Sequence, residues 1–281
     1  MILLPVEDNH AVQNFDRIKI MTERFYGTAP YSVVVVHGGP GAPGEMMPVA
    51  KELSKSFGVI EQIQTADSVA GQVAELKQVI EEKADSPIVL VGWSWGAWLA
   101  LITTSRNPEL VRKLILVSSG PFEQRYAEGI MTTRLSRLEN DEKLRTEDIL
   151  GRLNNGEKVS GDEFSAFGEL MSKTDSYDPL PNDNSNSLPP NPEIYEKVWK
   201  EAEELRKSGK LLESAANIKC PVIVIHGDYD PHPFEGVQEP LSKVLKDVKF
   251  VTLTNCGHTP WQEKQAKGKF FKILTEEIQS G

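Results

Sequence analysis

Ile88-Val89-Leu90-Val91-Gly92-Trp93-Ser94-Trp95-Gly96 is the stretch that decides the fold. Four β-branched or leucine residues in a row suit a strand buried on both faces, as in a parallel sheet. The strand runs into a serine flanked by glycine two residues away on either side. An apolar stretch with helical character follows, to about Arg106. A sharp turn from strand to helix leaves no room for side chains beside the serine, so glycine there is a steric requirement. Such a turn lifts the Ser94 hydroxyl above the sheet and directs the N–H groups after it into the same space. The spacing G-x-S-x-G is a weak sign alone. The strand before it and the helix after it make it specific.

Working outward, Val33-Val34-Val35-Val36 is a second uninterrupted β-branched run, and it ends at His37-Gly38-Gly39-Pro40-Gly41. The patterning predicts a helix from about Glu45 to Lys55, a strand from Phe57 to Ile63, a helix from Val69 to Lys83 and a strand from Leu114 to Val117. Strands alternating with helices indicate an α/β protein with a doubly wound, mostly parallel sheet. Residues 1 to 32 leave room for one or two strands before Val33. After Pro121 the alternation stops. Residues 122 to 213 carry helix signals, among them a capping box at Ser160–Glu163 and Asn191 ahead of Pro192. Residues 174 to 192, rich in Pro, Asn, Asp and Ser, read as a long loop. Strand patterns return at Pro221–Ile225 and Lys249–Leu253. A last helix is expected from about Trp261 to Gln279, with Thr259 as cap, Pro260 as first residue and Gln262 completing a capping box. The expected organisation is a core of residues 1-121 and 214-281, with residues 122-213 inserted as a helical cap or lid. Such an insertion would lie over the carboxyl ends of the strands, where open α/β sheets hold ligands.

A serine hydroxyl is a poor nucleophile without a base. Of the five histidines, His10 lies in an irregular leader, His37 in the glycine-rich turn, His226 at the end of a buried strand and His232 between two prolines. His258 follows the last strand in a loop, where a base must sit to reach Ser94. A carboxylate must orient that base. Gly227-Asp228-Tyr229-Asp230 follows directly on the strand 221 to 225, and both aspartates fit the chain order. Asp230 lies further out on the loop and is the expected acid, with Asp228 holding the turn. Charge developing on a substrate oxygen needs donors already aimed at it. The N–H groups of Gly39 and Trp95 are the expected pair. Gly38 and Trp93 are placed in the substrate pocket, and the Trp95 ring is expected to line it. These roles require neither metal nor organic cofactor.

The chain has 281 residues and a net charge of −10. A surface this acidic repels phosphate backbones and anionic lipid headgroups, which argues against nucleic acid and membrane as partners. Charged runs such as Glu201–Arg206 read as solvated helix faces. No apolar run approaches the roughly 18 residues of a spanning helix. The first residues lack the features of a signal peptide. The two cysteines, Cys220 and Cys256, have no metal-ligand spacing and read as free thiols in a reducing cytoplasm.

Taken together, these elements resemble the α/β-hydrolase family over essentially the whole chain. His-Gly-Gly-Pro-Gly with Gly-x-Ser-Trp-Gly is most similar to proline iminopeptidases and their relatives, enzymes that release an N-terminal proline or similar residue from short peptides. The resemblance implies a triad of Ser94, Asp230 and His258, and oxyanion donors at Gly39 and Trp95. It implies a serine hydrolase acting on a small molecule or short peptide. In that family acidic cap residues bind the substrate's amino group. This chain offers Glu163, Glu169, Asp175 and Glu193 in the corresponding region, none in a matching motif, and Trp93 stands where the peptidases commonly have a small residue. Esterases, lactonases and small-ligand receptors built on this fold are the alternatives.

Overall fold

The computed structural model describes residues 22–181 and 188–280. His10 and the leader before Thr22 therefore lie outside the described residues. The elements in chain order are β1 (Glu23–Tyr26), β2 (Tyr31–Val36), α1 (Met47–Leu53), β3 (Gly58–Gln62), α2 (Val69–Lys83), β4 (Ile88–Trp93), α3 (Trp95–Arg106) and β5 (Val111–Val117). There follow α4 (Gln124–Ala127), α5 (Ile130–Ser136), α6 (Asn140–Asn154), α7 (Gly161–Asp175), α8 (Pro192–Lys207) and α9 (Lys210–Ala215). The chain closes with β6 (Val222–Gly227), α10 (Glu235–Val244), β7 (Val248–Leu253), a 3₁₀ turn (Pro260–Gln262) and α11 (Lys267–Gln279).

The sheet has seven strands in the order β1-β3-β2-β4-β5-β6-β7. Only β1 runs antiparallel to its neighbour. The fold is thus the doubly wound, mostly parallel arrangement that the strand runs imply. Alternation along each strand divides the core into two layers. Val34, Val36, Ile88 and Leu90 face the layer covered by α2, α3 and α8, whereas Val33, Val35, Val89 and Val91 face α1 and α11. β2 and β4 are the central pair, and the turns leaving them form adjacent lips at one end of the sheet.

Between β5 and β6 the described residues form helices α4 to α9. An aromatic column fastens α8 to the core. Trp98 of α3 stacks on Trp199 with centroids 6.1 Å apart, and Trp199 stacks on Tyr195 at 6.2 Å. Phe164 of α7 packs on Tyr195 at 5.0 Å. Ser160 and Glu163 form the expected capping box, and the Asn191 side chain accepts from the N–H groups of Glu193 and Ile194.

Two expectations about the helices differ from the structure. The last α-helix begins at Lys267 rather than at Trp261; Thr259 and Pro260 open a separate 3₁₀ turn, and the Thr259 side chain makes no capping hydrogen bond. Glu263 takes an extended backbone there and its side chain serves another segment, described below. The run Glu201–Arg206 is not simply a solvated face. Glu201 accepts the N–H of Val69 at 2.8 Å, capping α2, and Arg206 is buried with its guanidinium 5.6 Å from the Trp98 ring centroid. The long loop expected at residues 174 to 192 is loop between α7 and α8 where it is described, and residues 177–180 lie along the segment 257–264. Leu180 donates its N–H to Gln262 at 2.7 Å, and Lys264 donates its N–H to Asp178 at 3.1 Å.

Candidate active site

Ser94 joins β4 to α3 with φ 56° and ψ −120°, a conformation side-chain-bearing residues rarely adopt. The flanking glycines have physical causes. A Cβ on Gly92 would collide with the Gly96 carbonyl, and one on Gly96 would collide with the carbonyls of Val36 and His37. The turn is tight because α3 starts directly against the end of β2. The Ser94 N–H donates to the Val117 carbonyl at 3.0 Å and holds the turn to β5.

The structure brings Ser94, His258 and Asp230 together. His258 Nδ1 donates to Asp230 Oδ2 at 2.7 Å. That bond fixes the tautomer, so Nε2 accepts from the Ser94 hydroxyl at 2.9 Å. Burial alone would push His258 down, but the adjoining Asp230 charge, with Asp175 behind it, outweighs burial and raises its pKa above the usual value. Burial would likewise raise Asp230, yet the histidines around it outweigh that cost and hold its carboxyl well below the usual range. A base with an elevated affinity for protons beside an acid that favours its ionised form is the arrangement that proton abstraction from a hydroxyl requires. Asp228 lies apart from His258 and accepts the Cys256 N–H at 3.2 Å, holding the turn as expected.

The glycine-rich turn after β2 packs on the serine. A Cβ on Gly38 would stand 2.6 Å from the Trp93 ring and 2.9 Å from Ser94 Cβ. Among the described residues, the N–H groups of Gly39 and Trp95 have no hydrogen-bond acceptor. Trp95 follows Ser94 directly and Gly39 follows Gly38, which packs on Ser94, so two free donors in this region would suit a developing oxyanion. His37 is buried and held neutral, its pKa lowered to about 4 by burial. Its Nδ1 donates to the Gly38 carbonyl at 2.8 Å and its Nε2 accepts from Gln64 N–H at 3.2 Å, so the ring braces the turn.

The tryptophans sit behind the site. Trp93 is buried, donates Nε1–H to the His258 carbonyl at 2.8 Å and packs between His258 and Trp261. The Trp95 ring, expected to line the pocket, turns into the core instead. It is 2% exposed and donates to Gln64 and Gln72 at 3.0 and 2.9 Å. The two glutamines give the indole N–H a buried partner, which fixes the ring on the α2 side.

The helices between β5 and β6 hold two loops of the site, the glycine-rich turn and the His258 loop. Asn191, the cap of α8, donates its N–H to the Gly41 carbonyl at 2.6 Å. A Cβ on Gly41 would collide with the Asn191 carbonyl, and the residue has φ +80°, so glycine is required twice over. At the loop after β7, His258 donates its backbone N–H to the Asp175 carbonyl at 2.8 Å. Arg134 of α5 clasps the Asp175 carboxylate with bonds of 2.7 and 2.6 Å. Asp175 is thus the one acid of the four considered above that is seen at the site, and its charge is already paired.

Two contributors lack a local sequence signal. Glu263 is 1% exposed, and its carboxylate accepts the N–H groups of Tyr177, Asp178 and Gly257 at 2.8, 2.8 and 2.9 Å. It sews the end of α7 to the His258 loop. Glu263→Gln is expected to cost roughly 1–3 kcal/mol of stability, since an amide serves fewer of these donors. Urea unfolding measures this, and an unchanged midpoint would show that the carboxylate is dispensable. Glu45, just past the glycine-rich turn, is exposed. Its surroundings raise its pKa, opposed by the nearby His258 charge. Among the described residues its carboxylate has no hydrogen-bond or ion-pair partner. As for metal, Asp230, His232 and His258 bring ligand atoms within 4.8 Å of one another, but those atoms are engaged in hydrogen bonds among themselves.

Residues 64–264 match the alpha/beta hydrolase fold family. The chain belongs to that family. A pimeloyl-acyl-carrier protein methyl ester esterase of Nitrosomonas europaea is 24% identical over 245 residues, covering 84% of this chain and 91% of its own. Among solved structures, VinJ aligns at a TM-score of 0.67 with 18% identity, covering 92% of this alpha/beta hydrolase and 94% of VinJ. Proline iminopeptidase of Mycobacterium smegmatis aligns at 0.60 with 16% identity over 91% and 93%. Likeness at these identities establishes the fold. Among the described residues, no helix is long and apolar enough to cross a membrane.

Proposed function

We propose that this alpha/beta hydrolase cleaves an ester or amide bond of a small substrate through an acyl-enzyme formed on Ser94. The observation that carries the reading is the chain of bonds from Ser94 Oγ to His258 at 2.9 Å and from His258 to Asp230 at 2.7 Å. Ser94 Oγ attacks the carbonyl carbon while His258 Nε2 takes its proton. The N–H groups of Gly39 and Trp95 hold the oxyanion. The tetrahedral intermediate collapses, and the leaving group departs with the proton from His258. Water then attacks the acyl-enzyme with His258 again as base, releasing the acid and restoring Ser94. Residues 122–213 act as the cap over this site. Gly38 shapes the floor of the substrate pocket beside Ser94, and Trp93 backs it. Exposure to a fluorophosphonate probe, followed by intact-mass and peptide analysis, tests the reading. A single adduct on Ser94 is expected. A folded protein that takes no adduct would overturn it and favour a receptor that binds a small ligand without turning it over.

Within this reading the esterase-type chemistry has the support of the Nitrosomonas relative. An aminopeptidase reading has one observation in its favour, the unpartnered Glu45 carboxylate near His258. It would pair with a substrate's free amino group, since Asp175 is taken by Arg134. On that reading Glu45→Gln lowers kcat/KM for amino-acid arylamides by about 10- to 100-fold, the worth of a hydrogen bond to a charged group. N-acetylated analogues and simple esters should be unaffected. An equal loss on both classes, or no loss on either, would remove the aminopeptidase reading.

A further inference from the structure

Asp230 does not serve His258 alone. It lies in a ring of three buried histidines. His232 reaches its Oδ1 twice, with Nδ1 at 2.8 Å and the backbone N–H at 2.9 Å. The His232 ring packs on the His258 ring with centroids 4.5 Å apart and planes 30° from parallel. His226, at the end of β6, donates Nε2–H to the His232 carbonyl at 2.8 Å and stands 3.6 Å from Asp230 Oδ2. The prolines on either side of His232 limit the backbone of the loop, so the side chain is presented to Asp230 in one way.

We infer that His232 is a positioning residue for the proposed hydrolysis, its Nδ1–H holding Oδ1 of Asp230 so that Oδ2 faces His258 and carries a tempered charge. The inference rests on the proposed triad. Burial lowers the His232 pKa to about 4, so the ring is neutral in ordinary buffers and acts as a donor rather than a cation. A donor on Oδ1 draws electron density from the carboxylate and weakens its hold on the His258 proton. Without it, Asp230 holds the imidazolium form of His258 more strongly, and His258 becomes a free base only at higher pH. The other charged groups facing this cluster are Arg134 of α5, Asp175 at the end of α7, Glu45 beyond the glycine-rich turn and Glu235 at the start of α10. None of these touches Oδ1 of Asp230.

The test is the pH dependence of fluorophosphonate labelling of the full chain, with His232→Phe and His232→Asn. Phenylalanine keeps the ring against His258 and deletes the Nδ1 donor, leaving the backbone N–H on Oδ1. Asparagine keeps a donor near the place of Nδ1 and deletes the ring. In the wild type, labelling should rise with pH through a midpoint above the ordinary histidine value of about 6.5, because His258 is raised. For His232→Phe the midpoint should move up by roughly one pH unit, a tenfold loss of rate on the acid side. His232→Asn should retain the wild-type midpoint. A Phe variant whose rate falls equally at every pH, with the midpoint unmoved, would overturn the inference and leave His232 a packing residue. His232→Ala supplies the same donor deletion should the Phe variant fail to fold. Absence of any labelling in the wild type would instead strike at the triad itself, so the two failures are distinct.

Discussion

Ser94→Ala is expected to lower turnover by roughly 10⁴-fold or more on any substrate the protein hydrolyses. The hydroxyl is the group His258 Nε2 faces, and no other hydroxyl is seen bonded to that nitrogen among the described residues. The fold should survive, because alanine is hardly smaller and the Ser94 N–H to Val117 bond does not involve the side chain. The backbone at position 94 remains strained in either protein, so thermal midpoints should agree within a few degrees or favour the variant. Steady-state kinetics beside a thermal melt measures both. Turnover near that of the wild type in a folded variant would exclude the acyl-enzyme mechanism.

Asp230→Asn is the second large effect. The amide is isosteric but neutral, so it cannot balance the imidazolium that forms as Ser94 is deprotonated. It can also present its NH₂ to His258 and reverse the tautomer. A fall in kcat of roughly 10⁴-fold is expected. The informative control is Asp228→Asn, two residues away. Asp228 accepts only the Cys256 N–H among the described residues, and an asparagine oxygen can do the same, so less than about a tenfold change is expected. The converse pattern, with Asp228→Asn the damaging change, would reassign the acid and redraw the site.

The sheet and the serine turn were legible in the sequence because each is specified locally. Val33–Val36 and Ile88–Val91 are unbroken apolar runs, and both prove to be central strands buried on two faces. The Gly92–Gly96 spacing states a steric requirement that the backbone contacts explain. His258 and Asp230 were legible because topology carries residues after β7 and β6 to the same end of the sheet as Ser94. Glu263 was not. Its partners are backbone N–H groups of residues 177, 178 and 257, and no sequence spacing encodes a bond across 86 positions. The same long-range tie explains the misplaced start of α11. Thr259-Pro260 with Gln262 satisfies a local capping rule, but Glu263 is drawn away to the end of α7 and the chain turns extended before the helix begins. Trp95 failed for a related reason. Its place beside Ser94 suggested the pocket, but Gln64 and Gln72 offer its N–H a buried partner that only folding brings near.

The two backbone bonds from Asn191 to Gly41 and from His258 to Asp175 bear on how such a protein can change over time. Exchanging the helices between β5 and β6 would be the direct route to a new substrate range if they were an independent module. Here the exchange would also cut a support from the glycine-rich turn carrying Gly39 and another from the loop carrying His258. A donor segment taken from a relative must therefore bring matching carbonyl and amide groups at both junctions, or recognition and rate fall together. Point substitutions on the helices that leave both junctions intact form the easier path, and diversification of this chain should be concentrated there.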